Sequence, residues 1–351
     1  MDAPLPLRSE RASLHLFRTL PGDMAPRDMQ DLMAFPFFSL AKSPRIVPID
    51  FEAGGVTIRV EASAEHGLAT IWDADILIWA ASHIVEARDA GRRISRRMVA
   101  SPHEILRFIG RGTSIRDYNR LRAALNRLQA TSIMTSLRQS AEKRLHRFSW
   151  INEWAARTDS GGQSDGVELV LPDWLYAALL NDALVLTIDR AYFSLTGGLE
   201  RWLYRVVRKH GGHQRRGWRF EFRHLYEKSA SLSSFTRFSL ELRQMARRQP
   251  LPGYRLSVER NRDGIEILVF ARARLSTPSC GLPVNPLVPS CVDKHVPSRH
   301  RDTCYHASKT PNQDVKTGGY GTLNLDSNLK ESNFVDVAGA PGLWISQEGT
   351  P

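Results

Sequence analysis

A chain of 351 residues, 42% hydrophobic and 24% charged, has room for two domains of ordinary size and is too apolar to be disordered throughout. Its formal net charge of +11 points to a polyanionic partner, and its best candidate for an apolar span, residues 76–81 between Asp75 and His83, is far too short to cross a membrane. Cys280, Cys291 and Cys304 are odd in number and contain no Cys-x-x-Cys pair, which argues against both a disulfide framework and a zinc site.

Residues 1–30 are rich in Pro, Arg and Met and show no sustained period. They read as a flexible arm without the apolar core of a signal peptide, so the chain is expected to be cytoplasmic. Phe35-Pro36-Phe37-Phe38 is too aromatic for a free tail and is expected to pack on the first domain. Residues 46–51 and 56–60 alternate apolar and polar around Gly54-Gly55, a hairpin signal. Asp73 stands at the N-cap of a helix ending near Gly91, with Ile76, Trp79, Ala80, His83, Ile84 and Ala87 on one stripe. On that stripe His83 is expected to be a packed histidine.

Ser101-Pro102 supplies an N-cap and a first-turn proline to a short helix that stops at Gly110. The next helix, residues 114–130, is expected to face the core with Ile115, Tyr118, Leu121, Leu125 and Leu128. Arg116, Arg120 and Arg127 share its other side and are candidates for phosphate or base contact. Residues 132–138 and 145–150 look like two strands of a wing whose tip offers Lys143 and Arg144, with Arg147 beside them. The Gly-, Ser- and Asp-rich stretch around 157–166 reads as a domain boundary.

The same outline then recurs. Residues 167–171, 172–181 and 184–189 read as strand, short helix and strand. A helix over 199–210 ends at Gly211-Gly212, and a short helix follows over 222–229. A long helix over 233–248 has Phe235, Phe238, Leu242 and Met245 as its buried face. Residues 254–260 and 265–270 pair around Asp263-Gly264. The fold class is therefore α+β, two tandem winged-helix domains (helix-turn-helix plus β-wing) with disordered N- and C-terminal tails. The boundaries are 1–30 for the arm, 31–157 for the first domain, 158–166 for the linker, 167–274 for the second domain and 275–351 for the tail.

Charge separates the two domains. Residues 201–274 hold 18 Lys and Arg against 6 Asp and Glu, whereas residues 1–200 balance at 24 each. A helix-turn-helix puts the start of its second helix into the major groove, so Ser233, Ser234, Thr236, Arg237 and Arg243 are the candidate base readers. Lys228, Ser229 and Ser231, in the turn before it, suit phosphate. Arg255, Arg260 and Arg262 lie on the wing, where they would follow the backbone or a minor groove. No catalytic residue, metal or cofactor is expected. His210 and His213 have the wrong spacing for a nicking enzyme's His-x-His pair, no Gly-x-x-x-x-Gly-Lys loop occurs, and Asp73 and Asp75 are expected to have neither an acid cluster nor a basic partner around them.

At FFSLAKSPRIVPIDF, GLATIWDADILIWAASHI, LERWLYRVVRKHGG, LYEKSAS and LPGYRLSVER the sequence resembles the plasmid replication initiators called replication initiator protein A. The resemblance covers residues 35–274. The family's Lys-Ser-Gly-Ser block appears here as Lys228-Ser229-Ala230-Ser231, with alanine in place of glycine. The resemblance implies paired winged-helix domains that bind repeated double-stranded sites in a plasmid origin, help open an AT-rich region and bring in a host initiator or helicase loader. Self-association of the neutral first domain is a further expectation. The competing readings are a winged-helix transcriptional regulator, including an autorepressor, and a nicking initiator.

Overall fold

Two short strands, β1 (Leu16–Arg18) and β2 (Arg27–Met29), lead into a five-residue helix, α1 (Gln30–Ala34). The hairpin β3 (Ile49–Ala53) and β4 (Val56–Glu61) turns through Gly54 and Gly55, both at positive φ. Helix α2 (Ala74–Asp89), strand β5 (Arg97–Ala100) and helices α3 (Pro102–Phe108) and α4 (Ile115–Ala130) follow, then the hairpin β6 (Ser132–Thr135) and β7 (His146–Ser149). A second hairpin, β8 (Glu153–Thr158) with β9 (Ser164–Val170), runs into α5 (Asp173–Leu179) and β10 (Val185–Thr187). The series ends with α6 (Gly198–His210), β11 (Trp218–Glu221), α7 (Phe222–Ser229), α8 (Phe235–Arg248), β12 (Tyr254–Arg260) and β13 (Glu266–Arg272). The computed structural model describes residues 14–139, 145–158, 164–211 and 217–273. The expected tail at 275–351 lies outside them.

Helix α2 is the hub. Every residue from Ala74 to Val85 is buried, which is how a helix apolar all round must sit. The expected stripe was therefore only part of its contact surface. Aromatic side chains close the core beside it: Phe38 stacks on Trp150 at 4.9 Å between ring centroids, and Phe148 on Trp174 at 4.7 Å. Phe37 and Phe38 are buried in this cluster, as the aromatic run before β3 led one to expect.

Two boundaries fall differently from the sequence expectation. The 158–166 stretch is no linker. Residues 159–163 lie outside the described residues, but β8 and β9 pair on either side of them, so the Gly- and Ser-rich composition marks a hairpin turn. Strand β9, expected in the second domain, pairs with β5 of the first in the sheet β1–β5–β9–β8. Residues 14–30, expected to be a flexible arm, join the fold: β1 pairs in parallel with β5, and β2 pairs with β10; residues 1–13 lie outside the described residues.

Residues of the two expected domains thus share sheets and belong to one compact unit. Buried ion pairs reinforce the join. Arg201 on α6 reaches Asp75 on α2, and Arg205 reaches Asp28 in β2 at 2.7 and 2.9 Å. Gly198 at the start of α6 lies so close to the Leu40 carbonyl that a Cβ would overlap it.

The order helix, strand, helix, helix, hairpin occurs twice, in α2–β5–α3–α4–β6–β7 and in α6–β11–α7–α8–β12–β13. In the second, the strand joins the hairpin as the sheet β11–β13–β12. In the first it does not. There the hairpin is extended by β4 and β3, and β5 sits in the other sheet.

Candidate nucleic-acid interface

Local chemistry fixes both helix pairs. Ser101 accepts from the Glu104 N–H while Glu104 accepts from the Ser101 N–H, a capping box that starts α3. Gly110, at positive φ, ends the pair's turn, and Ser114 with Asp117 forms a second capping box that starts α4. In the second copy, Ala230 takes the left-handed conformation at φ +47°. The Ser229 hydroxyl donates to the Tyr226 carbonyl and accepts from the Ser231 N–H, and the Ser231 hydroxyl accepts from the Ser233 N–H. Ser234 caps α8 by accepting from the Arg237 N–H.

Each long helix has one buried and one open stripe. On α8, Phe238, Leu242 and Met245 are buried, while Thr236, Arg237, Leu240, Gln244, Arg247 and Arg248 are exposed. On α4, Leu121, Ala124, Leu125 and Leu128 are buried, while Ile115, Arg116, Asn119, Arg120 and Arg122 are exposed. Ile115 and Tyr118 were expected in the core. They are exposed instead, because the first turn of α4 projects beyond the residues that cover its later turns.

Eight of the candidate residues are exposed: Arg116, Arg120, Ser234, Thr236, Arg237, Arg255, Arg260 and Arg262. Carboxylates stand near three of them: Asp117 at 3.5 Å from Arg120, Glu241 at 3.3 Å from Arg237 and Glu266 at 3.7 Å from Arg260. All three arginines keep well over half their side-chain surface in solvent, so these pairs cost little to exchange for phosphate.

The structure withdraws several others. Arg127 does not face outward: its guanidinium grips the buried carboxylate of Asp73 through two 2.8 Å hydrogen bonds. Arg243 turns toward the sheet and holds Glu266 of β13 at 2.9 and 2.7 Å. Ser229 is buried, and its hydroxyl is spent on the turn. Lys228 is half-buried, with its ammonium 5.3 Å from the Phe35 ring centroid. Ser231 and Ser233 are half-buried in the same turn and act there as local braces. Arg147, beside the wing tip, is not withdrawn: it is exposed, with Glu61 at 3.4 Å and the Ser132 hydroxyl at 3.3 Å. Lys143 and Arg144 lie outside the described residues. Conversely, Asn119, Arg122, Leu240, Gln244 and Arg247 were passed over, although the 3.6-residue period that locates the buried stripe places them opposite it.

The charge surplus also needs correcting. Arg201 and Arg205 count toward the basic segment yet are fully buried against Asp75 and Asp28. Asp73 and Asp75, expected to lack a basic partner, are both held by arginines brought from distant helices and turns: Arg127 on Asp73, and Arg201 and Arg111 on Asp75. His210 packs against Trp218 and Phe220, and burial together with Lys209, Lys228 and His224 pushes it down to about 3. Among the described residues no group of three His, Cys, Asp or Glu side chains could hold a metal, and no helix is long and apolar enough to cross a membrane.

The arrangement defines an α+β protein in which two helix pairs, α3–α4 and α7–α8, are each followed by a hairpin and each present one open, arginine-bearing helix face. Residues 27–256 match the model of the family described as Replication initiator protein A, and the chain belongs to that family. It is 31% identical over 244 residues to a protein of Wigglesworthia glossinidia brevipalpis described as a replication protein, covering 68% of this chain and 86% of that one. A crystal structure of domains 2 and 3 of RctB resembles it with a TM-score of 0.50 over 67% of this chain and 94% of that chain. At 18% identity that likeness is one of fold.

Proposed function

We propose that the chain initiates plasmid replication by binding double-stranded DNA at repeated origin sites, opening the adjacent duplex and drawing in a host initiator or helicase loader. It would act in the bacterial cytoplasm, as a binding protein and not an enzyme. One observation carries the reading: the outward stripe of α8, where Thr236, Arg237 and Arg247 stand in solvent at the groove-facing side of a helix-turn-helix. The connectivity of the second copy, with β11 completing the hairpin sheet, supports a winged helix there. The first copy is a variant of it, with its hairpin carried by β3 and β4. Family membership supports the replication role. The occupied state of Asp73 and Asp75 supports the absence of nuclease chemistry.

Affinity on this reading comes mainly from counterion release, with a log–log salt slope of about −0.9 per phosphate neutralised. Footprinting the full chain on the intergenic DNA of its own plasmid tests it. Protection of tandem repeats spaced near one helical turn beside an AT-rich stretch is the expected result. Protection confined to a single palindrome over the promoter would assign the chain to regulation instead. Relaxed circles from supercoiled plasmid with magnesium or manganese would overturn the non-enzymatic assignment.

A further inference from the structure

Each open stripe carries an uncharged pair among its arginines. On α8 it holds Leu240, half exposed, and Gln244 one turn later. On α4 it holds Ile115, 81% exposed, and Asn119 one turn later. The same pair thus recurs on both helices: a branched apolar side chain, then a carboxamide four residues on. Arginines flank each pair, Arg116 on α4 and Arg237 and Arg247 on α8.

The spacing suits nearby bases about one to two steps apart. Four residues of helix advance about 6 Å, and base pairs are stacked about 3.4 Å apart. In the major groove only thymine shows a methyl group, and a carboxamide matches the N6 donor and N7 acceptor of adenine with two hydrogen bonds. Flanking cations hold phosphates and set the depth of the helix in the groove. A lone exposed leucine needs no explanation. An apolar–amide pair repeated within two basic stripes does.

We propose that α4 and α8 read A·T base pairs through this one device. Ile115 and Leu240 cover thymine 5-methyl groups, and Asn119 and Gln244 grip adenines beside them. The inference rests on the DNA-binding reading above and specifies its sequence preference.

The test uses the full chain. Duplexes are first selected by binding from a random pool, and the winning site is then remade with deoxyuridine in place of thymidine, which removes only the 5-methyl groups. The wild-type chain is expected to bind the uracil site about fourfold more weakly for each methyl contacted, the factor that burying one such group carries. Leu240→Ala is expected to lose the thymine preference in one half of the site, Ile115→Ala in the other, and Gln244→Ala to relax the adenine requirement near the first. Both apolar positions are exposed, so these variants should keep the wild-type unfolding midpoint. Equal wild-type affinity for the thymine and uracil sites overturns the inference and leaves DNA binding standing. So does a Leu240→Ala chain with its thymine preference intact. Failure to bind any duplex at low salt overturns both readings.

Discussion

Arg201 and Asp75 form an ion pair with no solvent exposure on either side, the guanidinium Nη1 lying 2.7 and 2.9 Å from the two carboxylate oxygens. The pair joins α6, the helix that opens the second copy of the repeated order, to α2, which opens the first, and Arg111 reaches the same carboxylate at 3.1 Å. Removing Arg201 leaves the fully buried carboxylate with only the partly exposed Arg111 and strands the Leu195 and Phe193 carbonyls that Arg201 also holds. Arg201→Ala should therefore lose about 3–5 kcal/mol, while Arg201→Met combined with Asp75→Leu should lose much less. Urea unfolding of both variants checks this, and a double variant no better than the single would refute it.

Ala230 pays a backbone cost that its family's glycine does not. Its φ of +47° and ψ of +34° are left-handed, where a Cβ crowds the carbonyl by about 1–2 kcal/mol. Restoring glycine frees more backbone in the unfolded chain, which offsets part of the gain. Ala230→Gly is expected to raise stability by about 0.5–1 kcal/mol with an unchanged denaturant slope, and a lower unfolding midpoint would contradict it.

Short-range chemistry was legible before the fold was. Ser101 with Pro102 at the start of α3, and Asp263-Gly264 in the β12–β13 turn, each act within a few residues, so their type and spacing announce them. The pairing of arginines was not legible. Arg127 finds Asp73 54 residues away, and Arg201 finds Asp75 126 away, and nothing along the chain marks a guanidinium as already taken. Composition at 158–166 could not separate a linker from a hairpin turn, because both favour Gly, Ser and Asp. Ile115 fits the apolar period of α4, but periodicity does not say where the covering neighbours stop.

Acid should loosen the core through His83. It is buried on α2, accepts a hydrogen bond at Nδ1 from the Leu20 N–H, and is pushed down to about 4 by burial. In the unfolded chain the same group titrates near 6.5. Between those values the unfolded state binds the proton and the folded state does not, so stability falls as pH drops through that window. The loss attributable to His83 approaches about 3 kcal/mol at pH 4. Urea midpoints from pH 7 to 4.5 should decline less steeply for His83→Gln, which keeps an acceptor for Leu20. Parallel declines would remove His83 from the account.

Two arginines eleven residues apart on α4 should behave in opposite ways. Arg116 stands in solvent with no ion pair to any described residue, so Arg116→Ala should weaken duplex binding across sequences and reduce the salt slope by about 0.9. It should leave the unfolding midpoint alone. Arg127 is bound on two sides to the buried Asp73, so Arg127→Ala should cost about 3 kcal/mol of stability by stranding that carboxylate. At temperatures where the variant remains folded, its salt slope should equal that of the wild type. Measuring both quantities on both variants separates a DNA contact from an internal brace, and an Arg127→Ala slope shallower by the same amount as Arg116→Ala would put Arg127 back in the groove.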